Sequence, residues 1–194
     1  SSAASDVYKR QIDERPPEVE TREDVGFWEM DTVVGTSAGP SRCLLVLTER
    51  KTRFGIVRVL ESKTAREVLR VLRELRQEFG EDFRKLFKTI TCDNGCEFAD
   101  AAGIERSVTG RGSRTEVYYC HPYSAYERGS NENANRIIRR FLPKGTDFSN
   151  LTRQKVKEIE SWMNNYPREK LGWKSANRAF AEHARALSID IQKL

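Results

Sequence analysis

The chain has 194 residues, of which 32% are charged and 38% hydrophobic, and a formal net charge of +5. That composition suits one globular domain with a real core and a helical appendage, and it excludes a membrane-embedded protein, since no apolar run approaches the roughly 18 residues a span needs. The mild excess of base, with a pI of about 9.1, permits a polyanionic partner without demanding one.

Residues 1–24 open with SSAASDVYKRQ, which has no apolar period, and continue with IDERPPEVETRED, an acidic stretch carrying Pro16 and Pro17. They read as a disordered linker or appended leader, not as fold. FWEMDTVVG (Phe27–Gly35) then alternates, with Trp28, Met30 and Thr32 on one side and Glu29, Asp31 and Val33 on the other. CLLVLTER (Cys43–Arg50) is a continuous apolar run that predicts a buried strand. RFGIVRVL (Arg53–Leu60) predicts a third strand, and the short link between these two predicts an antiparallel hairpin.

The period changes at SKTAREVLRVLRELRQEFG, where Ala65, Val68, Leu69, Leu72, Leu75 and Phe79 share one helical face. Ser62 or Thr64 can cap its start and Gly80 its end. LFKTITCD (Leu86–Asp93) predicts a fourth strand and NGCEFADAAG a short helix. RSVTGRGSR (Arg106–Arg114), with its two glycines and three arginines, predicts a flexible loop, and TEVYYC (Thr115–Cys120) a fifth strand. Three helices complete the pattern, over about 125–142, 152–164 and 175–187. Consecutive strands suggest an antiparallel meander and strand–helix–strand units suggest parallel additions, so a mixed sheet flanked by helices follows. Trp173 reads as a packing anchor between the last helices and the core. Cys43, Cys92, Cys96 and Cys120 follow no secreted disulfide framework and read as buried thiols in a reducing cytoplasm; their spacing with His121 does not suit zinc.

Three acids have no settled local duty. Asp31 lies mid-strand, where an unpartnered charge is costly if buried. Asp93 ends a strand, followed by Asn94 and Gly95; it fits a turn, but strand ends are also where reactive groups collect in α/β sheets. Glu132 opens a helix whose Ala134, Ile137, Ile138 and Phe141 can pack on the sheet, leaving Glu132, Asn135, Arg136 and Arg139 on a polar face. Glu127 fits a capping box with Ser124.

WEMD, TCDNGCEF and HPYSAYERGSNENANRIIRRFLPKGTD together resemble the integrase/transposase catalytic core, a ribonuclease-H-like fold with an Asp-Asp-Glu triad, and most nearly the bacterial insertion-sequence thirty family of transposases. The likeness runs from about Gly26 to Ala181 and includes NNYPREKLGWKSANRAF. It implies an α/β fold with a mixed five-stranded sheet flanked by helices, a core over residues 25–150 and a C-terminal helical extension over 151–194. It implies that Asp31, Asp93 and Glu132 are the triad and hold two Mg²⁺ ions, for which Mn²⁺ substitutes, to cleave DNA and transfer strands. The interval from Asp93 to Glu132 is long for the superfamily, and Glu127 stays open as the third acid. Arg111, Arg114, Asn131, Asn135, Arg136, Arg139, Arg140 and Lys144 are the expected DNA contacts, with phosphate neutralisation as the main term. The resemblance further implies a homo-oligomer acting on element ends and target DNA, in a bacterial cytoplasm close to the nucleoid. A metal-dependent nuclease without strand transfer, and a nucleic-acid-binding relic without catalysis, remain the alternatives.

Overall fold

Strand β1 (Phe27–Val34) is the middle strand of a five-stranded sheet ordered β3-β2-β1-β4-β5. The computed structural model describes residues 9–36, 41–109, 115–122, 124, 127 and 129–189. β2 (Cys43–Glu49) and β3 (Gly55–Leu60) pair antiparallel with each other, and β2 pairs antiparallel with β1. β4 (Thr89–Cys92) and β5 (Glu116–Tyr119) extend the other edge in parallel. The sheet is therefore mixed as the pattern predicts, with β4 and β5 shorter than their apolar runs.

The alternation of β1 sends its residues to two separate cores. Trp28 and Met30 join Leu45, Leu47 and the apolar face of α2 (Ala65–Phe79). Val33 joins Leu44, Val46 and helices α5 (Gly129–Phe141) and α6 (Arg153–Asn165) on the opposite face. Helix α2 starts where Thr64 accepts a hydrogen bond from the Glu67 N–H and ends at Gly80, whose φ of 57° suits a residue without a Cβ. Two short helices, α1 (Glu18–Thr21) and α3 (Phe83–Leu86), and α4 (Ala101–Val108) complete the covering layers with α7 (Ala176–Ala186). Among the described residues no helix is long and apolar enough to cross a membrane.

Four sequence expectations need correction. Residues 9–24 are not a disordered linker. Arg10 pairs with Glu105, Gln11 bridges to Tyr119, Val19 is fully buried, and the Arg15 guanidinium donates to Thr91 Oγ1 at 3.2 Å. Long-range polar contacts, invisible to a local apolar period, hold this segment. Arg106–Val108 continue α4 instead of opening a loop, because Ile104 and Val108 share its buried face. Trp173 is not a packing anchor; it is 68% exposed, and Phe180 does the anchoring, stacked on Phe54 and edge-on to Trp28. Of the four free cysteines, Cys96 is exposed and the other three are buried.

Candidate active site

The polar edge of β1 carries the site. Parallel pairing sets Phe27 against Thr89 and Glu29 against Thr91. The last pair stands two residues before Asp31 on one strand and two before Asp93 on the other, so both acids follow the same end of the parallel β1–β4 pairing. Asp93 Oδ1 accepts from the Gly95 N–H at 2.8 Å, and Asn94 Nδ2 donates to the Cys120 carbonyl at 2.8 Å. The turn reading of Asp-Asn-Gly and a role at the strand end therefore coexist: the turn fixes the carboxylate at the rim of the sheet.

Asp31 is half-buried and faces α5. Its Oδ1 accepts from the Thr32 N–H at 2.8 Å, and its Oδ2 accepts from Asn135 Nδ2 at 3.1 Å. Asn135 Oδ1 is buried without a hydrogen-bond partner among the described residues. An oxygen lacking a donor, directly beside Asp31, suits a site that takes an oxygen-liganded cation and its waters.

The docking of α5 depends on Glu29, an acid whose role the sequence does not disclose. Glu29 is fully buried. Its Oε1 accepts from the N–H groups of Ser130 and Asn131 at 3.1 and 3.2 Å, and its Oε2 accepts from Arg50 Nη1 at 3.0 Å. A carboxylate from the sheet thus satisfies two of the free N–H groups in the first turn of α5 and stands at the positive end of its dipole. The available signal was a second acid in WEMD on the same side of the strand as Asp31.

Asn131, expected on a DNA-facing surface, is instead packed inside the fold. It is fully buried. With the amide oriented so that both ends are satisfied, Nδ2 donates to Thr48 Oγ1 at 2.7 Å and Oδ1 accepts from the N–H groups of Met30 and Asp31 at 3.2 and 3.0 Å. It ties α5 to β1 at the residue that carries the first acid. The neighbouring residue, Glu132, is solvent-exposed, one turn before Asn135.

Among the described residues no three Asp, Glu, His or Cys side chains form a group able to hold a metal ion. Sequence reasoning expects three carboxylates at one point; this conformation does not bring all three together. Like charges repel, and Glu132 on the open side of the first turn reaches water instead. The expected capping box also differs. Glu127 Oε2 accepts from the His121 N–H at 3.0 Å and Oε1 lies 2.8 Å from His121 Nδ1, while Asp13 sits 2.7 Å from Nε2. Glu127 and then Asp13 raise the pKa of the His121 imidazole above its usual value, and Glu127 has a structural duty that Glu132 lacks.

The remaining basic candidates separate. Arg136, Arg140 and Lys144 are exposed. Arg139 donates to the Val34 carbonyl at 2.8 Å and bridges α5 to the end of β1. Arg111 and Arg114 lie outside the described residues.

No family model matches the chain. It is 38% identical over 88% of its length to a protein named transposase for insertion sequence element IS4351 of Bacteroides fragilis, covering 49% of that protein. It is 34% identical to a probable transposase for insertion-like sequence element IS1161 of Streptococcus salivarius, over 88% of this chain and 46% of that one. It is 32% identical to transposase InsI for insertion sequence element IS30C of Escherichia coli, over 84% of this chain and 40% of that one. The chain thus spans half or less of the length of these curated relatives. The catalytic core domain of BIV integrase, at 18% identity, superposes with a TM-score of 0.60 over 85% of this chain and 99% of that one. The relatives are insertion-sequence transposases, as the sequence motifs suggest, and the fold is that of a ribonuclease-H-like integrase catalytic core.

Proposed function

We propose that this chain is the catalytic core of a DNA transposase and that Asp31, Asp93 and Glu132 are its reactive carboxylates. The observation that supports the reading is the parallel register of β1 and β4, whose last pair, Glu29 with Thr91, stands two residues before each aspartate, together with the hydrogen bond from Asn135 of α5 to Asp31. Neighbouring strands lie roughly 4.8 Å apart, a spacing that suits carboxylates shared by two ions about 4 Å apart.

The donor set is all oxygen, which fits Mg²⁺, with Mn²⁺ as a substitute, and does not fit a thiolate-binding metal. When bound, a pair of divalent ions would lower the pKa of a nucleophilic water or 3′-hydroxyl and offset charge at phosphorus and at the leaving oxygen. The chain's own residues do the positioning. Asp31 and Asp93 present oxygens from the rigid sheet, Asn135 orients Asp31, and Glu29 with Asn131 fixes the start of α5 and hence the backbone of Glu132. Glu132 turns inward from its exposed position to complete the set. DNA is the partner, held on exposed Arg136, Arg140 and Lys144, and two or more copies act on paired ends.

A pre-cut donor end, Mg²⁺ and a supercoiled target plasmid test the proposal. Joined donor–target products are the expected result. Hydrolysis of DNA with no joined product would replace strand transfer by simple nuclease action, and no metal-dependent change in either DNA would leave a binding protein.

A further inference from the structure

Beside the start of α5 lies a cleft that the triad does not use. Arg22, Arg53, Arg136, Arg168 and Lys170 line it, together with Asn133, and Glu169 is the one acid among its described lining residues. These cations come from four separated places: the end of α1, the β2–β3 turn, α5 and the loop after α6. Among the described residues none of the five cations enters an ion pair. Arg22 Nη1 and Arg53 Nη1 instead converge on one hydroxyl, Ser130 Oγ, at 2.8 and 2.5 Å. Both arginines also hold φ values in the left-handed region, 55° and 63°, which are uncommon for residues other than glycine.

Crowding guanidinium groups is unfavourable, and the buried carboxylates of Glu29 and Glu49 only partly offset it at Arg22 and Arg53. The crowding is visible in the acidities: burial, and then Arg53 and Arg50, lower Arg22 to about 10, which still leaves it a cation at neutral pH. Arg168 supplies an independent observation. It is 9% exposed, it donates to the Met163 carbonyl through Nη2, and its Nε is buried with no partner among the described residues. The Arg168 guanidinium lies over the Tyr166 ring at 4.5 Å, and its unfilled Nε donor beside a cleft with a strong excess of positive charge suits an anion with acceptor oxygens.

The geometry points to a binding site for a backbone phosphate of DNA in this cleft, formed by Arg22, Arg53, Arg168 and Lys170 with Arg136 at its edge. The site rests on the proposed DNA reading and adds a specific location to it. At about 100° per residue, Arg136 stands roughly 40° from Glu132 around the axis of α5, so a strand whose reacting phosphate lies against Asp31 and Asp93 carries a flanking phosphate towards the cleft. Arginine suits the role because its planar fork matches phosphate oxygens.

Fluorescence anisotropy of an end-labelled duplex across a salt series tests this, using the whole 194-residue chain. Lys170→Gln and Arg53→Gln are compared with Arg185→Gln, an equal charge change on the exposed last turn of α7. Each cleft variant is expected to weaken binding by about eightfold at 0.1 M salt and to reduce the log–log salt slope by about 0.9, the value for one lost phosphate contact. Arg185→Gln is expected to match the parent. Lys170 is exposed and carries no fold contact described above, so its variant keeps the test valid if Arg53→Gln unfolds. Cleft variants that bind like the parent, or lose no more than Arg185→Gln, overturn the site while leaving the DNA reading intact. A parent chain with no salt-dependent DNA binding overturns both.

Discussion

Asp31→Asn and Asp93→Asn are each expected to lower metal-dependent DNA cleavage and joining by about a thousandfold or more, while the affinity for DNA stays close to that of the parent. The size follows from the role proposed for them. An ion that stabilises charge in the transition state contributes several kcal/mol, and every 1.36 kcal/mol is tenfold in rate. Neither carboxylate is fully buried, so neutralising them should not unfold the chain, and a rate loss reports chemistry. Glu132→Gln is expected to follow the two aspartates. Glu127→Gln is expected to be mild for catalysis, because Glu127 is occupied with the His121 backbone and ring. Inactivity of Glu127→Gln together with an active Glu132→Gln would reassign the third acid. Rates are read on gels as joined and nicked products, and binding by anisotropy in Ca²⁺.

Glu29→Gln is expected to cost about 3 kcal/mol of folding stability. The carboxylate is fully buried and shared between the Arg50 guanidinium and two N–H groups of α5. Removing one partner of a buried ion pair leaves the other charge uncompensated, which costs about 3–5 kcal/mol. The amide oxygen can still accept from both N–H groups, and Glu20 lies 3.7 Å from Arg50, so the lower end of that range applies. Urea unfolding should show a lower midpoint at an unchanged slope. Strand joining should fall by more than the loss of folded protein explains, since Glu29 sets the first turn of α5 and thus Glu132. A midpoint within 1 M of the parent's, or joining that tracks the folded fraction alone, would remove Glu29 from the positioning of α5.

The sheet was legible because its signals are local. Continuous apolar runs at Leu44–Leu47 and the alternation through Trp28, Met30 and Thr32 specify strands wherever the rest of the chain lies. Helix α2 was legible from its period and its Thr64 cap, although Val71, on the buried face, escaped the reading. What was not legible depends on partners distant in sequence. Asn131 looked like a surface amide, and its burial follows from Thr48 and the β1 backbone, which α5 meets only in three dimensions. Residues 9–24 looked structureless because few of them are apolar, yet Arg10, Arg15 and Arg22 attach them to α4, β4 and α5 through side chains. The cleft arginines were hidden for the same reason: Arg22, Arg53 and Arg168 are scattered in the chain and gather only around α5.

The resemblance names the two aspartates as a pair, and the β1–β4 register ends two residues before both of them. The position of Glu132 is the open step, since its exposed side chain must turn towards the sheet for the proposed chemistry. The most direct measurement is the anomalous scattering of Mn²⁺ in crystals of the chain bound to a DNA 3′ end. The account predicts peaks liganded by Asp31 and Asp93, with the Glu132 carboxylate turned in to join them. Mn²⁺ bound elsewhere on the surface, or a Glu132 side chain still directed to solvent beside occupied aspartates, would contradict it.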